Sequence, residues 1–110
     1  MAIVNATIAT TDTTLLTVPP GKKYALTTLL ICNNGVNDGS GVNDTQVDVH
    51  VIPDGQSKSD ANRIINDLPI DSADTFTFST ERLILEEGDT VVCVGASPTV
   101  LSATLSFLEV

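Results

Sequence analysis

The chain has 110 residues, 42% of them hydrophobic and 4% aromatic, and its 14 acidic against 5 basic residues give a formal net charge of -9. That length fits one domain, residues 1–110, with an aliphatic core, and a chain of this size buries roughly 65% of its unfolded surface without disulfide staples. The charge argues against nucleic acid or an anionic membrane as partner, because phosphates are repelled and Lys22, Lys23, Lys58, Arg63 and Arg82 are scattered and form no stripe.

Met1-Ala2-Ile3-Val4-Asn5 has neither the basic region nor the long apolar run of a signal peptide, and no stretch has the length to cross a bilayer. The expectation is synthesis in a cytoplasm, where the glycosylation patterns Asn5-Ala6-Thr7 and Asn43-Asp44-Thr45 have no consequence. In that reducing setting Cys32 and Cys93, both in apolar runs, are expected as free, buried small hydrophobes.

Taken in chain order, residues 3–17 mix Ile, Val and Leu with many Thr, which suits two half-solvated strands divided near Asp12. Pro20-Gly21 predicts a type II turn, proline fixing φ and glycine supplying the positive φ. A long strand follows over residues 24–33. Its alternation places Leu29 and Ile31 on one side and Leu26, Leu30 and Cys32 on the other, so both faces need cover, from a loop of the chain itself or from a neighbouring subunit.

Residues 35–44 repeat Gly-Val-Asn-Asp and predict an exposed loop. Gln46-Val47-Asp48-Val49-His50-Val51 alternates cleanly, valines inward and Gln46, Asp48 and His50 outward. Pro53-Asp54-Gly55 predicts a turn. Residues 57–67 lack period-two alternation and suit a helical turn or an irregular connection, while Leu68-Pro69-Ile70 suits an edge strand, because proline donates nothing to a ladder. In residues 74–80 Phe76 and Phe78 point inward and the threonines outward. Residues 82–85 lead into a second glycine turn at Glu87-Gly88-Asp89, after which residues 90–95 are apolar on both faces, as a central strand would be. The last strand sets Leu101, Ala103, Leu105 and Phe107 against Ser102, Thr104 and Ser106.

About eight short strands and no amphipathic helix predict an all-β fold, a small antiparallel β-sandwich with jelly-roll connectivity preferred over an immunoglobulin-like order. No catalytic, cofactor-binding or metal-ligating residue is assigned. His50, the one histidine, faces outward without a nucleophile or orienting carboxylate at a recognisable spacing. The pairs Asp71 and Asp74, and Glu86 and Glu87, lie in turns where carboxylates are ordinary. Asn37, Asp38, Asn43 and Asp44 offer oxygen ligands of the kind calcium takes, but an EF-hand-like loop from Asp38 needs an acidic ligand where Val49 stands. Sugar recognition usually wants exposed aromatic platforms; Tyr24, directly after a turn, reads as a packing residue.

Val18-Pro19-Pro20-Gly21-Lys22-Lys23-Tyr24, the strand that ends in Cys32-Asn33, the Val49-His50-Val51 strand and Leu83 to Val91 together resemble small structural proteins of tailed bacteriophages, of the cyanophage type. The resemblance spans most of residues 18–110. It implies a non-enzymatic virion component; with the strands around Leu30 and Val92 apolar on both faces, the expectation is a protein made in the host cytoplasm that forms a homo-oligomer and contacts other virion proteins, in the capsid decoration, tail or fibre region. The alternative is a small module that binds host-surface glycan, with calcium assisting through Asp38 and Asp44.

Overall fold

β-Branched residues carry the strands, since Val, Ile and Thr fit a pleated, half-buried surface. The computed structural model describes residues 2–110 apart from the side chains of residues 80–82, so the readings made of Met1 and of the Arg82 cation lie outside the described residues. Among the described residues eight strands run in chain order: β1 Ala2–Thr7, β2 Thr13–Thr17, β3 Lys23–Asn33, β4 Thr45–Ile52, β5 Arg63–Ile70, β6 Thr75–Glu86, β7 Thr90–Gly95 and β8 Leu101–Glu109. A 3-10 turn, Asp60–Asn62, precedes β5.

The strands form two four-stranded antiparallel sheets, in the orders β1-β8-β3-β6 and β2-β7-β4-β5. The chain changes sheet at every connection except β4 to β5, which is the paired Greek key of a jelly roll and not the immunoglobulin order. Alternation decides which side chains meet between the sheets. Leu101, Ala103, Leu105 and Phe107 of β8 are buried there, Val47 and Val49 of β4 and Val91 and Cys93 of β7 face them, and Phe76 and Phe78 of β6 pack on the margin. Tyr24 closes one end of this core against Phe107, with ring centroids 4.5 Å apart.

Three strands depart from simple alternation, each at a bulge; in β2 the register against β7 shifts between Thr14 and Leu16, and Leu15 and Leu16 are both buried. In β3 the register against β8 shifts between Leu26 and Thr28, where one residue of β3 is inserted, and this returns Leu26 to the side of Leu29 and Ile31; against β6 the shift at the same point runs the other way, with residues 80–82 opposite Thr27 alone. Leu26, Leu29 and Ile31 are therefore all core residues, 0 to 1% exposed. This corrects the expectation that Leu26 shares a face with Leu30 and Cys32. In β5 the register against β4 shifts twice, between Val47 and Val49 and again at His50. Asp67 takes a positive φ of 47° at the first shift, and its N–H is accepted by the Asp48 carboxylate. Residues 63–67 thus belong to a strand whose alternation the bulges erase, and that strand lies at a sheet edge, where Pro69 costs no ladder bond.

The two glycine turns sit side by side. Lys22 N–H donates to Pro19 O and Asp89 N–H to Glu86 O, with Gly21 at φ 76° and Gly88 at φ 84°, as type II geometry requires. Val18 joins them, its N–H donating to Asp89 O and its carbonyl accepting from Gly88 N–H, each at 3.0 Å. These connections carry the chain between the two sheets at one corner of the sandwich.

Candidate functional site

His50 lies on the outward side of β4, as alternation predicts, but it is only 2% exposed, so it faces a cover and not solvent. The cover is the β4–β5 connection, residues 53–62, which folds back over the outer face of its own sheet. Lys58 of that connection forms an ion pair with Asp12 beside β2, at the far edge of the sheet. At its other end Ser59 and Asn62 make a reciprocal capping box around the 3-10 turn. Asn62 also donates from Nδ2 to Ser57 O at 2.9 Å, and its Oδ1 takes a 2.9 Å bond from His50 Nδ1. Val92, directly opposite His50 on β7, is 6% exposed yet stands outside the main core cluster, as does Ile52. The second sheet therefore has a small covered cluster on its outer side, with His50 held as a structural donor.

The carboxylates expected in turns are in turns. Asp74 N–H donates to Asp71 O, both side chains are exposed, and Glu86 forms an ion pair with Lys23 at 3.6 Å while Glu87 is exposed in its turn. In the exposed 35–44 loop, Asp38 Oδ1 accepts from Ser40 Oγ and Ser40 N–H, and these bonds hold its carboxyl below the ordinary carboxylate range. Asp44 turns to a different partner, accepting from Ser72 N–H at 2.9 Å. Among the described residues no three His, Cys, Asp or Glu side chains gather as a metal site would need. Asp44 and Asp71 line a shallow open cleft with Gln46 and Ser97.

Among the described residues no such cover lies on the outer face of the β1-β8-β3-β6 sheet. Cross-strand pairing lays Asn5, Thr104, Leu30 and Thr77 in one row over the four strands, and Thr7, Ser102, Cys32 and Thr75 in the next. A third row, Leu108, Ala25 and Ile84, closes the apolar end. Ile3 is 64% exposed, Ile84 58%, Leu108 39% and Leu30 38%. Thr27 and Ser106 bond to each other through their hydroxyls across the β3 bulge. Among the described residues the rows carry no charge until Lys23 and Glu86 pair at the end of the sheet. Cys32 belongs to this face and is half-buried, which corrects its expected burial, whereas Cys93 is wholly buried in the core, where desolvation pushes its thiol up to about 12.

Two polar clamps escape sequence reasoning. Asn33 is 1% exposed and donates from Nδ2 to Asn43 O at 2.8 Å and Ile70 O at 3.0 Å, while its Oδ1 accepts from Gly35 N–H; it ties both ends of the 35–44 loop to the end of β5. Asp89 accepts from Asp54 N–H and Glu86 N–H, each at 2.9 Å, and so joins two turns. A Cβ on Gly88 would come within 2.4 Å of Asp54 Cγ, so that turn requires glycine for space as well as for φ.

No family model, curated protein or solved structure matches the chain. No helix of the described residues is long and apolar enough to cross a membrane.

Proposed function

We propose that this protein is a non-enzymatic structural component of a phage particle, which self-associates and forms protein–protein contacts in the capsid decoration, tail or fibre region. The observation that carries the proposal is what the residues behind the phage resemblance do in the fold. Val18 through Gly21 and Glu86 through Asp89 build one corner of the jelly roll, and Asn33 locks a loop. His50 braces the strap over the second sheet. Each is used for architecture, and jelly rolls recur in capsid and lectin domains alike, so the fold supports the reading without assigning it. Mass spectrometry of purified virions, with immunolabelled electron microscopy, tests it. Stoichiometric recovery from the particle is expected; consistent absence from virions contradicts it.

A second reading, recognition of host-surface glycan, has on its side the shallow cleft between Asp44, Gln46, Asp71 and Ser97, whose polar groups suit sugar hydroxyls. Its calcium-assisted form finds less support, since Asp38 and Asp44 bond to separate partners. Retention on a glycan array, unaffected by virion context, would favour it. A melting temperature unchanged by calcium and by chelator removes the metal.

A further inference from the structure

We infer that the outer face of the β1-β8-β3-β6 sheet is the surface on which a second copy of this chain docks; the inference rests on the self-associating reading above and names its interface. Charge selects the occupant. A chain with net charge -9 repels its own kind wherever the acidic loops approach, and a basic partner would be drawn to those loops. The described side chains of the sheet face carry only the opposed Lys23 and Glu86, so two copies approach there with less of that repulsion than at the acidic loops. Hydroxyl chemistry favours an identical partner as well. Serine and threonine both donate and accept, so a row such as Thr104 and Thr77 around Leu30 is self-complementary under a two-fold axis, the isologous contact from which most homo-oligomers are built.

Area permits it. Four strands about 4.8 Å apart, over about eight residues of about 3.3 Å each, present a plane of about 500 Å². Two such faces together bury about 1,000 Å², the lower bound of a specific interface. Ile84 and Leu108, which flank Ala25 in one row, supply apolar anchors at one end and Leu30 supplies one in the middle. The other sheet is closed to this role by the strap over His50 and Val92.

The test is light scattering and sedimentation of the full chain across a concentration series, comparing wild type with Leu30→Asp, Thr104→Glu and the loop-tip control Val42→Glu, each confirmed folded by circular dichroism. Wild type is expected to associate. Each face variant should need about tenfold more protein to do so, as one charge brought into an interface costs at least that much, while the control stays within about twofold of wild type. Folded face variants that associate like wild type overturn the interface and leave self-association standing. Equal weakening by Val42→Glu also overturns it, because the effect is then net charge. A wild type monomeric at every concentration overturns the self-associating reading itself.

Discussion

Val92 of β7 and Leu30 of β3 occupy comparable places, each mid-strand on the side turned away from the core, yet Val92 is 6% exposed and Leu30 38%. The difference comes from a single connection. The chain changes sheet everywhere except between β4 and β5, so only that connection is free to double back over the sheet it leaves, and it covers Val92 and His50 in doing so. The opposite sheet is bounded by connections that leave for the other layer. Among the described residues its outer face carries mostly hydroxyls and a few aliphatic side chains, with Lys23 and Glu86 at one end. Two strands that look alike on paper are thus completed in different ways, one by the chain and the other, on the reading offered above, by a copy of it.

The largest break in this comparison should come from placing a carboxylate on the covered side. Val92→Asp puts an unpaired charge under the strap and is expected to cost about 4 kcal/mol in urea unfolding, a large share of a typical domain's stability, whereas Leu30→Asp in dilute solution should stay within about 0.5 kcal/mol of wild type. Equal losses would mean that the two faces are equally covered. Asn62→Ala comes next. It removes the bonds to Ser57, Ser59 and His50 and should cost about 2 kcal/mol, with faster amide exchange confined to residues 53–62 and their neighbours in β4. Asp89→Ala, which frees the Asp54 and Glu86 N–H groups at a partly solvated corner, should cost about 1 kcal/mol.

Burial of Cys93 makes stability depend on pH. The Cys93 thiol is raised from 9.0 to about 12 by burial, so above pH 9 the unfolded chain loses that proton while the folded chain keeps it. Folding stability should therefore fall as pH rises from 9 towards 12, with a limiting slope of about 1.4 kcal/mol per pH unit from this group. Cys93→Ala should flatten the decline in melting temperature over that range, and an unchanged profile would remove the thiol as its cause.

The sequence made some of this legible and hid the rest for identifiable reasons. Strict alternation in β6 and β8 places Phe76, Phe78 and the inward set Leu101 to Phe107 correctly, because a regular ladder preserves the period of two. Glycine and proline chemistry located the turns at Gly21 and Gly88. The phase error at Leu26 arose from the bulge beside it, which depends on the register against β8 and β6 and leaves no mark in a strand of uniform Thr and Leu. The first half of β5, residues 63–67, is hidden for the same reason, twice over, while Leu68-Pro69-Ile70 is legible as an edge strand. Alternation puts His50 on the right side and leaves its environment open, since periodicity reports which way a side chain points and says nothing of what later folds across it. Asn33 and Asp89 act on residues far along the chain or in another turn, and asparagine and aspartate beside a glycine look like ordinary turn formers until the partners meet.

Cys32 provides the most direct measurement of the central claim, because it is the thiol on the uncovered face while Cys93 is wholly buried. Its alkylation by a maleimide should slow as protein concentration is raised through the range in which light scattering shows association, and should return to the dilute rate in Thr104→Glu. A rate that does not change across that range, in a sample demonstrably associating, would show that the copies meet elsewhere and that the bare sheet is not their interface.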